Sequence, residues 1–438
     1  MLIDDLRRAV HAHITSRPVI LIGADLDRLG QHIHELRSMG AQKVLIVTSG
    51  VGTGPVPDLD RYEVVFVDVF DGSPTLHGEA AWQEIFTNPP EFLARKLAHF
   101  DPQYRAAVIP WRFRTNAMLG DRVVYGPRLP AAVQLEDKTR IGAFLEACGV
   151  AGPPGARTAL ANLAALSAAA DDVDLGMGTV WSGDATEATN SGTKFVRWVR
   201  NDDDRRSAAE FFGAHCREVR VAPFLEGVAC GMHAFVTRRG TAVFRPVELL
   251  ILRPECGSAF IDAGFSTTFD PAPSDTEAYR AIVERIGNAM WHAYGYEGAL
   301  SVDAILTENG WVVHDINPRQ GGGLVYVRDV LPDLPIHLLH HVAAAGDLGE
   351  IDVERLSLEV IEAANRTRVV ASAVTLNGGP GSAFCTPLAL SDGELVEVSY
   401  AAGSLGRSRL EIRPQVVPGQ RTAPRVAAAV SAVVAAAA

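Results

Sequence analysis

The sequence predicts a mixed α/β and α+β fold: a small parallel-sheet α/β domain over residues 1–132, a central domain over 133–364 and a small β-rich C-terminal domain over 365–438. Three observations carry this. Short apolar, β-rich runs alternate with helical stretches at the start of the chain, the pattern of a parallel sheet. Later, a long amphipathic helix leads into two strands joined by a tight turn. At 438 residues the chain also exceeds what one hydrophobic core usually fills.

Residues 18–23, 43–48, 63–69 and 106–110 read as strands of the first domain, with helices over 25–39 and 80–100 between them. A helix over 136–148 opens the central domain, closed by Gly149 and stopped by Pro153 and Pro154. Strands dominate 180–260, with a helix over 208–215. The triplet Asp202 to Asp204 beside Arg205 and Arg206 reads as a solvated loop. The helix over 276–294 repeats Ala281, Ile282, Ile286 and Met290 on one face and precedes strands over 299–306 and 311–316. The tail reads as short strands plus an Ala-rich terminal helix.

Composition narrows the function. Lys plus Arg number 40 against 52 Asp plus Glu, a net charge of −12, which argues against a nucleic-acid partner. Five scattered cysteines without a C-x-x-C pair suit reduced thiols and a cytoplasmic setting. No run of eighteen apolar residues occurs and the first residues do not read as an export signal, so no membrane association is expected. The sequence fixes no oligomeric state; a homodimer is compatible with it.

The chemistry concentrates in the hairpin. Thr307, Glu308, Asn309 and Gly310 form its turn, with the Asn-Gly pair expected to take positive φ. Residues two apart on a strand share a face, so Asp315 and Asn317 point the same way. If the register brings Asp303 to that face, three oxygen ligands converge as a hard divalent cation requires, with water and phosphate completing the shell. Arg319 lies two residues further along, where a guanidinium can hold phosphate or a developing oxyanion, or else clamp a nearby acid. Gln320 and Gly321 to Gly323 follow. The glycines at positions 50, 52 and 54 read as a plain strand-to-helix turn, and the histidine pairs His11/His13, His32/His34 and His340/His341 as helix-surface or packing residues.

The stretch from Gly298 to Gly323 resembles the metal-binding hairpin of the ATP-grasp superfamily. The resemblance implies an ATP-grasp fold over 133–364 preceded by the α/β domain, with ATP and magnesium as cofactors. It implies Asp303, Asp315 and Asn317 as metal ligands, and Arg319 as the catalytic residue contacting phosphate or the acyl intermediate. Asp137-Lys138 is similar to the family's entry into the nucleotide domain, where the lysine reaches ATP phosphates. Val221 to Gly227 resembles the hinge that carries adenine, assigning nucleotide binding to Phe224, Leu225 and Glu226. The strand that usually carries a second lysine reads Gly178-Thr-Val-Trp-Ser-Gly183. Lys194 is the nearest replacement, on a loop whose amides, Gly192 among them, would cradle phosphate. The loop from Gly183 to Gly192 is expected to act as a lid. These features imply an ADP-producing ligase joining a carboxylate to an amine, an amino acid or peptide. The layout looks most like the peptide ligases of bacterial natural-product pathways, including the pheganomycin type. The alternatives are a carboxylase or nucleotide-biosynthesis enzyme of the same superfamily, or a nucleotide-binding protein without turnover.

Overall fold

A computed structural model describes residues 2–52, 56–58, 62–69, 79–110, 115–184, 193–253, 257–377, 384–390, 394–402 and 407–437. The chain begins with α1 (Leu2–Val10), β1 (Val19–Asp25), α2 (Gly30–Ser38), β2 (Val44–Gly50), β3 (Glu63–Phe66), α3 (Glu79–Thr87), α4 (Glu91–Phe100) and β4 (Ala107–Pro110). The strands form a parallel sheet in the order β3-β2-β1-β4. Its central strands open on the apolar runs 19–22 and 44–47, which are covered on both faces. Ile20, Ile22, Leu45 and Val47 face Trp82, Phe86 and Phe100, while Val19, Leu21, Val44 and Ile46 join a core shared with Leu338, Leu339 and Val342 of the following domain. The single helix expected over 80–100 is two helices. Pro89 and Pro90 interrupt it, and Pro90 takes φ −52, ψ 148 at the N-cap of α4.

After a short hairpin of β5 (Met118–Leu119) and β6 (Arg122–Val123), α5 (Pro130–Val133) and α6 (Ile141–Ala147) lead into the central domain. The helix expected from Glu136 starts five residues later. Asp137 is extended and accepts from the Thr139 amide at 2.9 Å and its hydroxyl at 2.6 Å, a turn that competes with helix. Next come β7 (Arg157–Leu160), α7 (Leu163–Val173), β8 (Thr179–Gly183), β9 (Val196–Val199), α8 (Asp202–His215) and β10 (Glu218–Pro223). The strands form an antiparallel sheet ordered β7-β10-β8-β9, one face packed on both helices. The acidic triplet read as a loop opens α8 instead. Asn201 caps the helix by accepting from the Asp204 amide, and carboxylates in the first turn complement the helix dipole.

The remaining elements are β11 (Val228–Thr237), β12 (Gly240–Leu252), β13 (Ile261–Ser266), α9 (Pro273–Tyr294), β14 (Gly298–Thr307), β15 (Gly310–Asn317), α10 (Val325–Val330), α11 (Ile336–Ala344), α12 (Val353–Arg366), β16 (Val370–Asn377), β17 (Phe384–Ala389), β18 (Leu395–Ala402), β19 (Arg407–Arg413) and α13 (Ala423–Ala437). The strands build one sheet ordered β15-β14-β11-β12-β13-β16-β19-β18-β17. Helix α9 packs on one face, while α11 and α12 pack on the other. The C-terminal strands continue this sheet through the β13–β16 pair, and α13 closes their core with Val426, Ala429 and Val430. Gly264 makes the joint. At φ +105 it leaves no room for a side chain, since a Cβ there would lie 2.0 Å from the Ala371 carbonyl oxygen. Among the described residues no helix is long and apolar enough to cross a membrane.

The first domain is tied to the central one through Glu35 on α2. Its buried carboxylate accepts the backbone N–H groups of His337 at 3.1 Å and Leu338 at 3.0 Å, donors that the first turn of α11 leaves without helical partners, and it pairs with the His337 ring. His32 and His341 are buried beside this pair, His340 is buried and accepts from the Ala299 amide, and His34 is exposed. Glu35→Ala is expected to destabilise the protein by about 3 kcal/mol by stranding those donors. Denaturant unfolding checks it, with Glu35→Gln expected to recover part of the loss; an unshifted midpoint would remove the tie.

Candidate active site

The geometry of the hairpin sets the site. Thr307 pairs with Gly310, and of the Asn-Gly pair Gly310, at φ +101, takes the expected positive φ while Asn309 does not. Up to Ala304, which pairs with Val313, the register is regular. A one-residue slip then leaves His314 over, so that Asp303 faces Asp315 and Ser301 faces Asn317. Without this bulge Asp315 would sit opposite Val302 and turn into the core beneath α9. The bulge thus brings Asp303, Asp315 and Asn317 onto one face.

On that face the polar atoms crowd. The Asn317 side-chain amide lies 3.4 Å from one Asp303 oxygen and 3.3 Å from Asp315 Oδ2, and Ser301 donates to Asp303 at 3.0 Å. Lys138 reaches across from the turn before α6 to donate to Asp315 Oδ2 at 3.0 Å. The other oxygen, Asp315 Oδ1, is buried and has no hydrogen-bond partner. Loss of solvent, then the charge of Asp315, pushes the Asp303 carboxyl up to about 7. Burial acts on Asp315 in the same direction, but Lys138, His314 and Arg319 together outweigh it and hold that carboxyl below the usual range. Two facing carboxylates that resist joint ionisation, with one unanswered oxygen, fit a divalent cation. The described residues contain no cluster of three or more His, Cys, Asp or Glu with metal-ligand geometry, so this donor set would leave most of a cation's shell to water and phosphate.

Arg319 is buried beside this group. Its Nε donates to Glu136 at 3.1 Å and one Nη to Asn317 Oδ1 at 2.7 Å, while Arg128 engages the same Glu136 carboxylate. The acid foreseen as a clamp partner is therefore Glu136, and Arg319 also touches a candidate ligand. Beyond it, Gly321 and Gly323 cover the ring of His233, which sits opposite Ser301 on β11. Added Cβ atoms would lie 2.7 Å and 2.4 Å from that ring, so these two glycines are required by contact. Both His233 nitrogens lack a hydrogen-bond partner, and burial, then Arg319, pushes the imidazole down to about 3, so it is neutral.

The second wall is the face of the four-stranded sheet turned away from α7 and α8. Val219, Val221 and Trp181 point to the helices; Arg220, Ala222, Val180 and Ser182 alternate with them and point the other way. Phe224, in the link from β10 to β11, stacks on Trp198 at 4.4 Å and donates its amide to the Gly178 carbonyl. Leu225 is half-buried, and the exposed Glu226 is held by Arg253 at 2.5 Å, which keeps its carboxyl below the usual range. Lys194 lies in the turn that opens β9, the outermost strand of this sheet. Gly192 and positions 185–191 of the expected lid lie outside the described residues. Sequence reasoning missed Glu136, Arg220, His233 and His314. The one signal available was a polar residue interrupting an apolar strand, as Arg220 does in Val219-Arg-Val221 and His233 in Met232-His-Ala234.

No family model matches the chain, and no curated protein matches it. Solved structures do. The biotin carboxylase domain of 2-oxoglutarate carboxylase from Hydrogenobacter thermophilus, in complex with MgADP, ADP and bicarbonate, superposes with a TM-score of 0.56 at 13% identity over 91% of this chain and 86% of that one. Biotin carboxylase from Campylobacter jejuni gives 0.54 at 13%, over 91% and 87%. N5-carboxyaminoimidazole ribonucleotide synthetase from Thermus thermophilus gives 0.52 at 15%, over 90% and 93%. The chain has the ATP-grasp fold, preceded by a parallel-sheet domain.

Proposed function

We propose that this chain is a magnesium- and ATP-dependent, ADP-producing ligase that joins a carboxylate to an amine, forming an amide or peptide bond through an acyl phosphate. The observation that carries the reading is the convergence of Asp303, Asp315 and Asn317, with Asp315 Oδ1 unanswered, beside the buried cations Lys138 and Arg319. Fold likeness to proteins whose complexes contain ADP or ATP adds support.

The residues divide the work. Asp303, Asp315 and Asn317 would hold the metal, which when bound neutralises phosphate charge. Lys138 is poised to exchange Asp315 for a phosphate oxygen, and the link at Phe224 and Leu225 offers backbone groups to adenine. Glu226 can reach a ribose hydroxyl only once Arg253 lets go. Arg319, oriented by Glu136, faces the reacting carbonyl and stabilises negative charge there. Lys194 and Gly192 remain candidates for the phosphate loop. The preferred substrates are amino acids or peptides, as in the peptide ligases of bacterial biosynthetic pathways. A carboxylase or nucleotide-biosynthesis role is favoured instead by the named structural neighbours.

ADP release with magnesium and ATP separates these readings. An amino-acid or dipeptide panel is expected to stimulate it and to yield a product whose amide bond shows in its mass. Stimulation by bicarbonate alone would favour the carboxylase reading. Nucleotide binding with no turnover on any substrate would leave a binding protein.

A further inference from the structure

The buried cations around the cleft differ in how their charge is answered. Lys138 pairs with Asp315, and Arg319 and Arg128 share Glu136. Arg220 is nine-tenths buried, yet among the described residues it makes no ion pair. One Nη donates to the His314 carbonyl at 2.9 Å, across on β15, and the buried Nε has no partner. Taking a guanidinium out of water without a carboxylate in contact is costly unless an anion arrives to meet it.

Its position says where that anion would be. Arg220 lies directly opposite Ser182 of β8 and Thr158 of β7, on the face turned toward the hairpin. Strand β8, which flanks the cleft, offers Thr179, Val180, Trp181, Ser182 and Gly183 and no cation. With one Nη donating to His314, the Nε–H and the second Nη are left as donors for an anion.

We infer that Arg220 is a ligand of the nucleotide's polyphosphate, gripping it between the four-stranded sheet and β15 and supplying the positive charge that β8 lacks. This rests on the nucleotide reading above. The competing role is a purely structural tie between the two sheets through the His314 carbonyl.

Calorimetric titration with MgADP and with adenosine separates the two, because adenosine keeps the base and ribose but lacks the phosphates. Arg220→Met, which keeps the length and loses the charge, is expected to weaken MgADP by roughly ten- to hundredfold and leave adenosine unchanged. Equal weakening of both ligands, or undiminished MgADP binding, would overturn the assignment. Should that variant fail to fold, Arg220→Gln, which can still donate to the His314 carbonyl but carries no charge, decides: selective loss of ADP supports the role, and an equal loss or none overturns it. Wild-type protein that binds neither compound removes the nucleotide reading itself, whereas normal wild-type binding with an unaffected variant removes Arg220 alone.

Discussion

Asp315→Asn is expected to lower turnover by about a thousandfold or more while leaving the fold intact. The substitution keeps shape and removes the charge opposite Asp303 and Lys138. A metal's stabilisation of transition-state charge is worth several kcal/mol, and about 4 kcal/mol corresponds to a thousandfold in rate. Two stability effects oppose each other here. Lys138 loses its buried partner, but Asp303 no longer faces a like charge, so melting without magnesium should stay close to wild type. What should vanish is the rise in melting temperature that magnesium and ATP confer on the wild type through linkage. Retained turnover at saturating magnesium would take away the metal assignment, and with it the central support for a ligase.

Arg319→Ala should cost on the order of a hundredfold in kcat, with little change in KM for ATP, if the guanidinium acts on charge that develops at the reacting carbonyl. The structure adds a second effect. Glu136 holds both Arg319 and Arg128 in a buried triad, so removing one arginine leaves the carboxylate half answered and should lower stability by about 2 kcal/mol. Arg319→Lys separates the two contributions. Lysine can still pair with Glu136 but cannot reach Asn317 at the same time with a planar fork. It should therefore recover stability and not rate. Normal turnover in Arg319→Lys, or loss of ATP binding before loss of rate in Arg319→Ala, would show that the arginine serves another purpose.

What the sequence disclosed was local. Asp315 and Asn317 lie at spacing two on β15, so their common face follows from strand geometry alone, whereas Arg319 falls in the bend just past the strand's end. That Asp303 joins them was left conditional on register, and register turned on a bulge at His314 that no residue type announces. The parallel sheet was readable because strands covered on both faces become apolar runs. Helix ends were read less well: Pro89 and Pro90 are plain breakers, while Asp137 ends a helical reading through a side-chain turn that looks, in sequence, like an ordinary helix start. Glu136, Arg220 and His233 could not be assigned to the cleft from pattern, because each meets its partners from a different sheet or turn. Their placement exists only once the two sheets face each other.

The continuity of the large sheet has a consequence for how the protein is made. Strand β13 pairs with β16, and Ser266 meets Val370 about a hundred residues later in the chain. At ribosomal rates of roughly 5–20 residues per second, the nascent polypeptide carries the β13 edge bare for roughly 5–20 s before its partner is synthesised. An uncovered strand edge is a template for pairing with other chains, so this interval is when the protein is most exposed to aggregation. The Gly264 kink falls on that edge, where a local break from flat strand geometry makes the waiting strand a poorer template for a stranger than for β16.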